Sequence, residues 1–170
     1  MAPHALFEAH LDVRDLDRSV VFYRDVVGLE LAYRLEERRV SFLWAGGRGR
    51  SMLGFWAGSS SPNAARLHLA FALDLAAVLA APAALRAVGI EPLGFDGRPT
   101  AEACAIGWTP AASVFFRDPD GHLLEFIAML LDEPRPEAGV VPWGEWTAAG
   151  SGRRAVEAGP PPSRGGARHG

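Results

Sequence analysis

The sequence predicts an α+β fold built from two βαβββ modules. Three observations lead there. Residues 113–129, SVFFRDPDGHLLEFIAM, read as a hairpin of two apolar strands about a tight turn. The order strand, helix, strand, strand, strand occurs twice along the chain. Each predicted helix ends on Val-Gly, at Val27-Gly28 and again at Val88-Gly89, where glycine accepts the left-handed backbone that stops a helix.

Module one spans 5–57. Residues 7–14, FEAHLDVR, alternate as a strand. Phe7, Ala9, Leu11 and Val13 take one face, and Glu8, His10, Asp12 and Arg14 take the other. Asp15 or Asp17 caps the following helix, where an acid suits the positive end. Its apolar positions, Val20, Val21, Tyr23, Val26 and Val27, lie near helical spacing. Residues 29–36, 39–44 and 51–56 are three further strands, with turns at Glu36-Glu37 and Gly46-Gly47. GSSSPN at 58–63 is a polar linker.

Module two spans 66–131. RLHLAFALD at 66–74 is a strand, and 75–88 is an Ala-rich helix in which Pro82 marks a bend or a late start. A strand is expected at 90–95 and a long loop at 96–110, followed by the hairpin. In the hairpin turn Asp118-Pro119-Asp120-Gly121, Pro119 presets φ and Gly121 accepts a positive φ where the chain re-enters the sheet. The two modules make one domain, 5–131. An extension at 132–147 can pack through Trp143 and Trp146, which are costly to leave in water. The Gly-, Pro- and Arg-rich stretch 148–170 reads as a disordered tail.

Composition narrows the function. With 170 residues, 49% hydrophobic and 22% charged, the chain can bury a proper core. A net charge of -3 without a basic face argues against nucleic acid as a partner. All 17 basic residues are arginine, so lysine Schiff-base chemistry is excluded. One cysteine, Cys104, allows no internal disulfide. There is no apolar run of about 18 residues and no signal-like N-terminus, so a soluble cytoplasmic protein is expected.

Glu125 is the anomaly. It lies inside LLEFIAMLL, a strand apolar enough to be covered on both faces, and a buried carboxylate needs a partner or a metal. The repeat supplies candidates. His10-Leu11 opens the first module and His68-Leu69 the second, while Leu53-Gly54-Phe55 closes the first and Leu124-Glu125-Phe126 the second. Facing modules would gather His10, His68, Glu125 and Gly54 into one ring, with Gly54 offering no ligand. Two histidines and a carboxylate on strands make a triad for divalent Fe, Mn, Ni, Zn or Co, with positions left open for water or substrate. Asp12 shares the face of His10. It is a candidate general base, as Glu125 is, or else a plain capping acid. Trp44, Trp56 and Trp108 suit a pocket wall, the core or a dimer interface. Cys104 is expected to be inert, and His122 to face solvent off the face of Glu125.

HLDVRDL at 10–16, FYRDVVGL at 22–29, the strand around His68 and FRDPDGHLLEF at 116–126 together resemble the vicinal oxygen chelate superfamily, the glyoxalase, bleomycin-resistance and extradiol-dioxygenase group. The resemblance covers roughly residues 7–131. It implies paired βαβββ modules with metal ligands on the first strand of each module and on the last strand, which fall on His10, His68 and Glu125. Departures limit the transfer of a reaction. Gly54 stands where glyoxalase I enzymes place a fourth ligand. Phe115 and Phe116 stand where extradiol dioxygenases use tyrosine. Asp12 stands where fosfomycin-modifying transferases use threonine, and no lysine awaits an anionic phosphonate. The resemblance implies a metal-dependent enzyme acting on a small oxygenated substrate and working as a homodimer. The rival reading is a metal-free binder of small molecules, of the bleomycin-resistance kind.

Overall fold

A computed structural model describes residues 5–58, 65–150, 152 and 155–156. The chain forms two compact units that divide between Ala65 and Arg66.

In the first unit, β1 (Glu8–Val13) leads into α1 (Leu16–Phe22), which continues as a π-helical turn (Tyr23–Val27) before β2 (Glu30–Leu35), β3 (Val40–Ala45) and β4 (Ser51–Ala57). Asp15 is the helix cap, its carboxylate accepting from the Arg18 backbone N–H at 3.0 Å. Gly28 ends the helical run at φ 85°, as the Val-Gly signal predicts. The sheet order is β1-β4-β3-β2, with β1 parallel to β4 and the other pairs antiparallel. Leu11, Val13, Leu53 and Phe55 are buried on one face, and Tyr23 reaches that core with its ring 4.5 Å from Phe55.

The second unit repeats the plan: β5 (His68–Ala72), α2 (Leu75–Ala87), β6 (Cys104–Ile106), β7 (Ala111–Arg117) and β8 (Leu123–Met129). Its order is β5-β8-β7-β6-β9, with β5 parallel to β8 and β9 formed by Val140–Pro142. Val78, Pro82 and Leu85 make the buried stripe of α2. Pro82 lies inside the helix, so of the two expected readings the late start is excluded.

Two expectations in this unit fail. Residues 90–95 are not a strand: only Leu93 bridges, exchanging backbone hydrogen bonds with Phe115 at 2.7 and 3.0 Å. Pro92 has no N–H to give a ladder, and further along β7 the neighbouring place is taken by β6. Nor is 96–110 all loop, since β6 lies within it.

The extension packs. β9 pairs with β6, and α3 (Trp143–Ala148) buries Trp146 to 1% exposure against Ala105 and Leu130. The guanidinium of Arg135 lies 3.8 Å over the Trp146 ring. Much of the expected disordered stretch, and residues 59–63 of the linker, lie outside the described residues. Within the described part, Ala155 bridges to Leu130, and Val156 donates its N–H to the Met129 carbonyl at 2.9 Å.

Candidate functional site

Glu125 is the buried carboxylate that the sequence led us to expect, 5% exposed in the middle of β8. Its two oxygens have different partners. Ser113, on the adjacent β7, donates its hydroxyl to Oε1 at 2.6 Å, and Nε2 of His68 lies 3.1 Å from Oε2. Strand register explains the meeting. Glu125 lies opposite Ala70 on β5 and opposite Phe115 on β7. His68, two residues before Ala70, and Ser113, two residues before Phe115, therefore share its face. Half of the His68 side chain remains exposed. The ring of Phe115 lies 5.9 Å from that of His68 and fixes one side of it.

The first unit carries its own cluster. His10 lies opposite Gly54 in the parallel β1–β4 pair. Its ring rests over that glycine: a Cβ built on Gly54 would come within 2.8 Å of the imidazole Cδ2 and 3.1 Å of Phe42. The missing side chain is what admits the ring. Trp56 donates its indole N–H to Nδ1 of His10 at 3.0 Å, and Nε2 of His10 meets Glu8 Oε1 at 3.0 Å. Because Nδ1 accepts, the proton of the neutral ring is on Nε2 and is directed to Glu8. Asp12 is half-buried on the same strand face, in register with Trp56.

Comparing the two registers shifts the repeat. Gly54 and Glu125 occupy matching places on the closing strands. Counted from them, His10 corresponds to Ala70, and His68 corresponds to Glu8. The two histidines that open the modules are thus offset by two residues, which keeps them on the same face but at different heights. Among the described residues no group of three or more His, Cys, Asp or Glu side chains is gathered; each unit brings together one imidazole and one carboxylate.

These strand orders and ligand-bearing faces can be set beside known proteins. The family model described as Glyoxalase/Bleomycin resistance protein/Dioxygenase superfamily matches residues 4–126. The chain belongs to this superfamily. Among solved structures, it is similar to an integron cassette protein from the mobile metagenome of the Halifax Harbour sewage outfall (28% identity, 74% of this chain and 98% of that one, TM-score 0.59). It is similar to a lactoylglutathione lyase from Agrobacterium tumefaciens (28% identity, 75% of this chain and 95% of that one, TM-score 0.58). A fosfomycin resistance protein from Listeria monocytogenes shares the fold at 22% identity, over 81% of this chain and 99% of that one, with a TM-score of 0.53. No curated protein sequence matches the chain.

Glyoxalase-superfamily members include lyases, oxidases and resistance proteins, and often use divalent metals. In this member the residues suited to a metal are oxygen and imidazole donors. Glu125 and His68 already lie in contact, and Ser113 orients the carboxylate, as the outer partners of a metal ligand do. His10 fits less well as it stands, because its Nε2 carries the ring proton and its Nδ1 lone pair accepts the hydrogen bond from the Trp56 indole N–H.

Two residues were misjudged or missed in the sequence. His122 is not solvent-facing: it is 2% exposed, and its Nδ1 accepts the Leu67 backbone N–H at 3.1 Å, tying β8 to the start of β5. Its place off the face of Glu125 is as the alternation predicts. Ser113 carried no signal, since one serine in a strand has none; only the pairing with β8 reveals it. Cys104 sits opposite Ser113, and burial pushes its thiol up to about 11, which keeps it neutral and unreactive.

Proposed function

We propose that this protein is a metal-dependent enzyme of the glyoxalase superfamily acting on a small oxygenated molecule. The observation that carries the reading is Glu125: a carboxylate in an apolar strand, in contact with an imidazole and steered by a buried hydroxyl. Burial on those terms costs several kcal/mol unless the charge is matched, and a divalent cation matches it while leaving sites open for substrate.

In this reading His68 and Glu125 supply two ligands, and the first strand supplies the third from the bonded pair Glu8 and His10. Sequence alone selects His10 as that ligand. Register and tautomer favour Glu8, which corresponds to His68 in the repeat and leaves His10, fixed by Trp56, as its hydrogen-bond donor. A bound metal would polarise the substrate oxygens as a Lewis acid. This chain's own residues would do the rest. Ser113 holds Glu125 in one rotamer, Phe115 walls one side of His68, and Asp12, half-buried on the Glu8 and His10 face, is the candidate to move a proton. Gly54 offers no ligand, so the coordination is that of three protein groups. A homodimer with a small-molecule substrate completes the proposal.

One observation favours the metal-free binder instead. Each carboxylate in the candidate set already has an imidazole at hydrogen-bond distance, 3.0 Å for Glu8 and 3.1 Å for Glu125, and Glu125 also accepts from Ser113 at 2.6 Å, so each has a polar partner without a metal. Metal titration separates the two. The enzyme reading expects about one divalent ion per chain, lost in His68→Ala, and weaker binding in Glu8→Gln than in His10→Ala. Unchanged metal content in His68→Ala would reject the ligand set.

A further inference from the structure

The strand that carries His68 is held at its start by another histidine. Leu67, the residue before His68, donates its N–H to Nδ1 of His122 at 3.1 Å, and its carbonyl accepts the Leu123 N–H at 2.9 Å. One step on, His68 lies opposite Leu123, and its Nε2 meets Glu125 Oε2 at 3.1 Å. A side chain stands here where a backbone group would be expected. If the parallel β5–β8 pairing ran one step further back, the acceptor for the Leu67 N–H would be the Gly121 carbonyl. Gly121 sits in the turn at φ 89°, and its carbonyl accepts from Arg117 Nη1 at 3.1 Å. His122 therefore supplies the acceptor that the ladder does not.

A carbonyl keeps its lone pairs at every pH, and an imidazole does not. Nδ1 accepts only in the neutral ring; with a second proton both ring nitrogens are donors, and Nδ1–H would face the Leu67 N–H. The residue is 2% exposed, so bulk water is not at hand to replace the bond. Charged groups of both signs surround it. In its own hairpin are Asp118, whose carboxylate accepts the His122 N–H at 2.8 Å, Asp120 and Arg117. From the start of β5 comes Arg66, whose Nε would lie 3.1 Å from a Cβ built on Gly121, and further along the two strands are His68 and Glu125. The acids favour a charged ring and the arginines oppose it. Wherever that balance falls, the second proton and the Leu67 bond exclude one another.

We propose that His122 is a proton-sensitive positioning residue: its neutral ring holds the start of β5, and with it His68, against Glu125, and protonation releases that start. The inference rests on the reading of His68 and Glu125 as the functional pair. It makes the assembly of that pair depend on pH through a group outside it.

Amide exchange in the full-length protein, followed residue by residue by NMR from pH 8 to pH 5, tests the proposal. Protection of the Leu67 and Leu123 N–H groups, corrected for intrinsic rates, should fall at least about tenfold over this range, the scale of one buried hydrogen bond. Val114 and Phe126, paired in the β7–β8 ladder, should stay protected. His122→Leu should hold Leu67 at the acid level at every pH. His122→Asn, whose Oδ1 accepts and does not titrate, should keep the pH 8 level throughout. Constant protection of Leu67 in the parent, or a pH dependence that survives in His122→Asn, would overturn the assignment. No metal enters this readout, so its failure leaves the metal reading standing, and metal loss in Glu125→Gln tests that reading by itself.

Discussion

Ser113 shows how much of the site depends on one hydroxyl. It is fully buried and holds Glu125 Oε1 at 2.6 Å. Replacing it by alanine leaves that oxygen without its donor in an apolar strand. Ser113→Ala should cost about 1–3 kcal/mol in denaturant unfolding and weaken metal binding by about tenfold to a hundredfold, read by competition with a chelating dye. A second residue-scale prediction concerns Cys104. With its thiol pushed from 9.0 up to about 11 by burial, alkylation should stay slow through pH 9 and quicken only as pH approaches 11. Because the folded thiol ionises later than the unfolded one, stability should also fall as pH rises through that window. At this scale the sequence was informative where chemistry clashes with its surroundings. Glu125 among leucines and phenylalanine announces itself. His122 did not, because the backbone N–H it satisfies belongs to Leu67, 55 positions away, and alternation along one strand says nothing of such a partner.

Among the elements, the strands with clear alternation and the helices with Asp at the start and Gly at the end were legible to within a few residues. β6 and β9 were not. Each has three residues, too short for a period, and each exists because a neighbouring strand offers unpaired backbone groups. The expected strand at 90–95 shows the converse: suitable composition, but Pro92 in the run and room on β7 for a single bridge. The extension is the element whose worth is easiest to measure. Trp146 is buried against Ala105 and Leu130, and Trp146→Ala should destabilise the protein by about 3–5 kcal/mol, seen as a lowered urea midpoint. The hairpin turn rests on Asp118, whose carboxylate accepts the N–H groups of Asp120 at 2.9 Å and His122 at 2.8 Å. Asp118→Ala should cost about 1–3 kcal/mol and leave metal content unchanged if the turn serves structure alone.

For the whole molecule, two sheets of like topology, with β1 parallel to β4 in one and β5 parallel to β8 in the other, are the plan that repetition in the sequence foretold. The repeat is not exact in register, and the offset of two residues between His10 and His68 is invisible in dipeptide matches such as His-Leu. It changes which first-strand side chain corresponds to His68, and so which residue completes a ligand set. The reaction was less legible than the fold, because Gly54, Phe115 and Asp12 each depart from a pattern tied to one chemistry. The central claim is that Glu125 belongs to a metal site. Elemental analysis of tag-free protein purified without oxygen, beside Glu125→Gln, tests it most directly. The account predicts about one divalent transition metal per chain in the parent and its loss in the variant, with the identity of the metal choosing between oxygenase and isomerase or transferase trials. No metal in either protein, together with no rise in melting temperature on adding Fe²⁺, Mn²⁺, Ni²⁺ or Zn²⁺, would contradict it and leave the metal-free binder.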